Sequence, residues 1–101
     1  MPTIKFSYTY NKLFLDGKLI KEAILLDVIP VKIENLSKDF LNYDTDQGEY
    51  KLPKKGEYLL LIFQKSCTNI FTTLRRYIPE KEEYYRKLIG ETFTIEYTGG
   101  I

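Results

Sequence analysis

Between Phe71 and Tyr97 the chain sets out a strand, a helix and a strand in direct succession, and this unit limits the fold more than any other stretch. Pro79 lacks a backbone N–H. At the first position of a helix that donor has no partner to lose, and the ring holds φ near the helical value. Glu80, Glu82 and Glu83 occupy the first turn, where the helix dipole favours acids. Arg86 and Lys87 occupy the last turn, where it favours cations, and Gly90 ends the element. Tyr84, Tyr85, Leu88 and Ile89 form the apolar stripe of that helix. Upstream, Ile70 to Ile78 reads as a strand with Phe71, Thr73, Arg75 and Tyr77 on one face. Downstream, Phe93, Ile95 and Tyr97 point inward from a strand over Glu91 to Tyr97. A helix with one apolar stripe has to lie on a sheet, which makes the class α+β.

The rest of the chain supplies the remaining strands. Thr3 to Tyr10 alternates, with Ile4, Phe6, Tyr8 and Tyr10 on one side. Asp16–Gly17, after Leu13–Phe14–Leu15, is a hairpin signal, because both residues tolerate positive φ. The return strand runs from Lys18 to about Ile29, and its apolar stretch Ala23 to Leu26 points to burial on both faces. Pro30 cannot donate to a ladder, so it marks an edge, a bulge or a bend before Val31 and Ile33 resume the pattern. Asn35 or Ser37 can cap a short helix through Phe40 and Leu41, which the polar run Tyr43 to Gly48 ends. Glu49 to Leu52 is a short strand, Pro53 to Gly56 a turn, and Glu57 to Gln64 a central strand. Lys65 to Asn69 reads as a loop. The expectation is a single β-rich domain over residues 1–97, with a mainly antiparallel, curved sheet or small barrel, two helices, and a flexible tail at 98–101. Its expected core is Phe6, Ile24, Leu26, Leu60, Ile62, Leu74, Leu88, Phe93 and Ile95.

Composition narrows the chemistry. The chain of 101 residues has no histidine and one cysteine, Cys67. Within one chain this rules out Ser–His and Cys–His nucleophile pairs, His-containing zinc sites and an internal disulfide. General acid–base work would fall to Asp, Glu, Tyr or Lys. No cofactor or metal is expected. Asp44, Asp46 and Gly48 resemble the start of a calcium loop, but the twelfth position from Asp44 is Lys55, where a bidentate glutamate is needed. Asp and Gly also simply form turns. A loop thiol beside Lys65 can have a lowered pKa, or can be incidental. The longest apolar run, Tyr58 to Phe63, is too short to span a bilayer, and the N-terminus carries no apolar signal core. These features imply a soluble cytoplasmic protein. The abundance of Lys, Ile, Tyr and Asn fits an accessory gene of a bacterium, phage or mobile element.

The net charge is +1, so no strong global field draws nucleic acid. Locally, however, all three arginines, Arg75, Arg76 and Arg86, fall in the strand–helix–strand unit beside Lys87, Tyr77 and Tyr85. Basic groups next to aromatic rings can grip a phosphate backbone and stack a base. Lys54 and Lys55, at a turn, are secondary candidates. The same residues can equally tie a helix to a sheet through Glu80, Glu82 or Glu83. Adjacent strand residues face opposite sides, so Arg75 and Arg76 share a ligand only if the strand ends there.

Two segments resemble parts of the ASCH/PUA-like family of small β-barrels. Thr73–Leu74–Arg75 precedes Gly90–Glu91–Thr92–Phe93, as a T-x-R element precedes a Gly-acid strand opening in that family. Lys18 to Leu41 is similar to the family's later section, so the segments stand in permuted order, and the Gly-x-Lys that leads the T-x-R is missing. The resemblance implies a barrel that binds RNA or a nucleotide. The functional expectation is a small non-enzymatic binding module for single-stranded nucleic acid or a protein, with a homodimer through an edge strand as one form. The alternative is a small enzyme using carboxylate and arginine groups on a nucleotide or phosphate substrate.

Overall fold

A computed structural model describes residues 1–7, 14–15, 17–34, 56–66 and 69–98. Seven strands and one helix are placed in it: β1 (Thr3–Ser7), β2 (Phe14–Leu15), β3 (Lys18–Leu19), β4 (Glu22–Ile33), β5 (Gly56–Ser66), β6 (Asn69–Arg76), α1 (Pro79–Lys87) and β7 (Thr92–Thr98). Five strands form one sheet in the order β1-β7-β4-β5-β6, and β2 with β3 forms a separate hairpin. Neighbours are antiparallel except β1 and β7, which run parallel with Ile4 opposite Ile95 and Phe6 opposite Tyr97. The sheet is therefore mixed. It is open rather than a closed barrel, since no ladder joins β1 to β6 among the described residues. The expected short helix at Asn35 to Leu41, the strand Glu49 to Leu52, the Asp44–Gly48 run, Lys54, Lys55 and Cys67 lie outside the described residues.

Local chemistry accounts for most boundaries. Leu15 pairs with Lys18, and Gly17 between them takes φ +77°, a value that glycine adopts without cost. The expected loop from Lys65 to Asn69 is tighter than its composition implies, because Ser66 pairs with Asn69. Pro79 starts α1, Glu80 and Glu82 stand in its first turn, and Arg86 and Lys87 in its last. Gly90, at φ +92°, then turns the chain back, and its N–H bonds the carbonyl of Leu25 at 2.7 Å. Leu25 returns the contact by donating to the Glu91 carbonyl at 3.1 Å. The end of the helix is thus stitched to β4.

β4 is long and changes role along its length. Glu22 to Ile24 pair with β7, whereas the β5 ladder runs on to Ile33. A bulge at Leu26 shifts the register between Leu25 and Asp27, and Pro30 follows opposite Leu59. Among the described residues no strand pairs with the β7 side of this second half, so the missing N–H of proline is tolerated. A bulge and a proline are also what keeps an exposed edge from pairing with another chain.

The inner face carries the core: Ile4, Phe6, Ala23, Leu25, Val28, Leu59, Leu61, Phe63, Phe93 and Ile95, covered by Tyr85 of α1. Phe6, Leu74, Phe93 and Ile95 are buried as expected, and Leu88 packs on the core from its flank. The expectation for β4 and β5 is off by one position. Ile24 and Leu26 face outward with 41% and 37% exposure, while Leu25, Leu59, Leu61 and Phe63 are fully buried. In a run that is apolar at every position, hydrophobicity does not say which parity points in. Leu60 belongs to a second, smaller cluster on the outer face, with Ile33, Tyr58, Leu74 and Val31.

Candidate functional site

β6 and α1 scatter the arginine–tyrosine group instead of gathering it. Arg75 follows Phe71 and Thr73 on the inner face, opposite Leu59, and is 1% exposed. Its Nη2 donates to the Lys5 carbonyl at 2.6 Å, and its guanidinium lies 5.4 Å from the centre of the Phe6 ring. β1 and β6 are the two outer strands of the sheet, so this bond spans its edges and shows how far the sheet curls. Phe6 and Phe71 meet edge to face across the same gap, 6.3 Å apart. Arg76, one residue on, is exposed on the other face. An anion on the surface reaches one of these arginines and not both.

The helical cations have acidic neighbours one turn back. Arg86 holds Glu82 through Nε at 2.9 Å and Nη2 at 2.8 Å, and Lys87 stands 3.2 Å from Glu83. Such exposed pairs contribute little stability, but they do reduce the local positive charge. Tyr77 donates its hydroxyl to the other Glu82 oxygen at 3.1 Å. That hydrogen bond, more than any other influence, raises the Tyr77 phenol above its ordinary value, and partial desolvation adds to it. The arginine–carboxylate geometry that an enzyme would use is present at Glu82, with both carboxylate oxygens already taken.

Tyr85 lies in the core, 6.2 Å from Phe93 and 5.3 Å from Tyr84. Burial pushes its phenol up, against the opposing effect of Arg75. The folded chain therefore keeps this proton after an unfolded chain has released it. Stability from this group is complete below the ordinary tyrosine value of 10.0 and falls as pH rises beyond it. Tyr85→Phe should flatten that fall: its melting temperature should drop less than that of the wild type between about pH 9 and about pH 11. Parallel curves for the two proteins would show that the phenol titrates as in the unfolded chain.

The placement of the expected site residues is thus mixed. Arg76, Arg86 and Lys87 are exposed, Tyr77 is half-buried with its hydroxyl engaged, and Arg75 and Tyr85 are interior. Among the described residues no group of three or more acidic, histidine or cysteine side chains can hold a metal, and no helix is long and apolar enough to cross a membrane. No protein family, curated protein or solved structure matches the chain.

Sequence reasoning passed over the outer face. The ladders pair Ile24, Asp27, Ile29 and Val31 of β4 with Gln64, Ile62, Leu60 and Tyr58 of β5, and place Ile70, Thr72 and Leu74 of β6 beyond the first three. Ile24, Ile29 and Ile70, which share this parity, are 41%, 38% and 56% exposed, and Leu26 at the bulge is 37% exposed. The signal was present in the residues. Both parities of β4 and β5 are apolar, and one core can take only one of them.

Proposed function

We propose that this chain is a binding module whose partner is a protein docked on the outer face of β4, β5 and β6. The observation that carries the reading is the exposure of Ile24, Ile29 and Ile70, which the ladders put on that one face. Apolar side chains clustered on a surface mark an interaction site more often than scattered ones do. A net charge of +1 and the ion pairs on α1 also favour an uncharged contact over an anionic one. The first partner to test is a second copy. Light scattering from micromolar to millimolar concentration should give a mass rising above the 11.9 kDa of the monomer. Ile24→Ser, Ile29→Ser and Ile70→Ser combined should hold the chain at the monomer mass while circular dichroism shows it still folded. A wild type that stays monomeric throughout counts against a second copy on this face.

The alternative partner is single-stranded nucleic acid, supported by the exposed Arg76, Arg86 and Lys87 and by the ASCH/PUA-like resemblance. Fluorescence anisotropy with a labelled oligonucleotide at low salt separates the two readings. Binding that weakens with salt, with a slope of about 0.7 per phosphate, and that Arg76→Gln reduces, would favour nucleic acid.

A further inference from the structure

A second surface feature lies at the end of the β4–β5 ladder, away from the exposed isoleucines. Where β4 ends and β5 begins, a half-open cavity of about 270 Å³ is lined by Pro30, Val31, Lys32, Glu57, Tyr58 and Tyr77. Lys32 and Glu57 are directly opposed in the ladder. They share the inner-facing parity of Leu59 and Leu61, with their Cβ atoms about 5 Å apart. Both are exposed, and among the described residues neither forms an ion pair or side-chain hydrogen bond. An ammonium and a carboxylate therefore stand on neighbouring strands at the mouth with no ion pair between them.

Tyr77 forms a fixed wall. Its N–H donates to the Glu57 carbonyl at 3.0 Å and its hydroxyl to Glu82 at 3.1 Å, so the ring is held at both ends. Pro30 adds a second rigid apolar surface. A preformed wall of this kind lowers the ordering cost of a small ligand.

We propose that this cavity binds a free α-amino acid with an apolar side chain, its carboxylate on Lys32, its ammonium on Glu57, and its side chain against Tyr77 and Pro30. A simple anion or cation would match one charge at the mouth and be repelled by the other. A zwitterion matches both, and an apolar side chain suits the walls. Ile24, Ile29 and Ile70 are not among the residues that line this site, so it does not depend on the protein contact proposed for them.

An amide NMR titration with L-leucine tests the assignment, with N-acetyl-L-leucine and L-leucine amide as singly charged controls. Saturable shifts are expected at Lys32, Glu57 and Tyr77. Each control should bind at least about tenfold more weakly, as should L-leucine to Lys32→Gln and to Glu57→Gln. The spectra of both variants report directly that they remain folded. The triple serine variant of the outer face should bind L-leucine like the wild type, so failure of one site is distinguishable from failure of the other. No saturable shift with L-leucine, or equal binding of N-acetyl-L-leucine, would overturn the proposal.

Discussion

Phe93→Ala should cost about 3–5 kcal/mol of folding stability, a large share of the roughly 5–15 kcal/mol that holds a domain of this size together. Phe93 is fully buried and joins the two layers. Its ring meets Phe63 of β5 edge to face at 5.4 Å and Tyr85 of α1 at 6.2 Å. Truncation removes both contacts and leaves a cavity between sheet and helix that neither can readily fill. Leu60→Ala is the control. Leu60 is half-buried in the outer cluster, so its loss should stay below about 2 kcal/mol. Urea unfolding of the two variants checks the order. Equal losses would mean that the two faces of the sheet contribute alike, contrary to the burial pattern.

Arg75→Ala should be nearly as damaging, at about 3 kcal/mol or more, because it empties core volume and strips the Lys5 carbonyl of a charged donor. The guanidinium bridges the outer strands of the curled sheet and lies over Phe6. Arg75→Met keeps most of the volume and loses the donor, so its cost should approach the roughly 1.5–3 kcal/mol of one charge-assisted hydrogen bond. Arg75→Lys keeps the charge but not the planar fork that reaches across, and should not restore the wild type. The distinguishing readout is hydrogen exchange. In the methionine variant the amides of β1 should exchange faster relative to those of β4 and β5. Stability and β1 exchange both unchanged in that variant would remove Arg75 from its role as a clasp between edges.

What the sequence determined by itself is local. Pro79, the acids after it, the cations before Gly90 and Gly90 itself placed α1 to within a residue or two, because each acts on backbone groups close to it in the chain. Asp16–Gly17 placed the β2–β3 turn for the same reason. The period-two pattern of β1 and β7 identified Phe6, Phe93 and Ile95 as core, since only one parity there is apolar. The tertiary structure decided whatever depends on a partner distant in sequence. It chose which parity of β4 and β5 faces inward, through pairing with strands that the residues do not name. It set β1 parallel to β7, residues separated by most of the chain. It also divided the arginine cluster. Arg75 and Arg76 are neighbours in sequence, but the pleat sends them to opposite faces, and the curl of the sheet brought Lys5 to Arg75 from the far edge. Residue type says that a guanidinium can bind an anion. Only the packing says whether an anion can reach it.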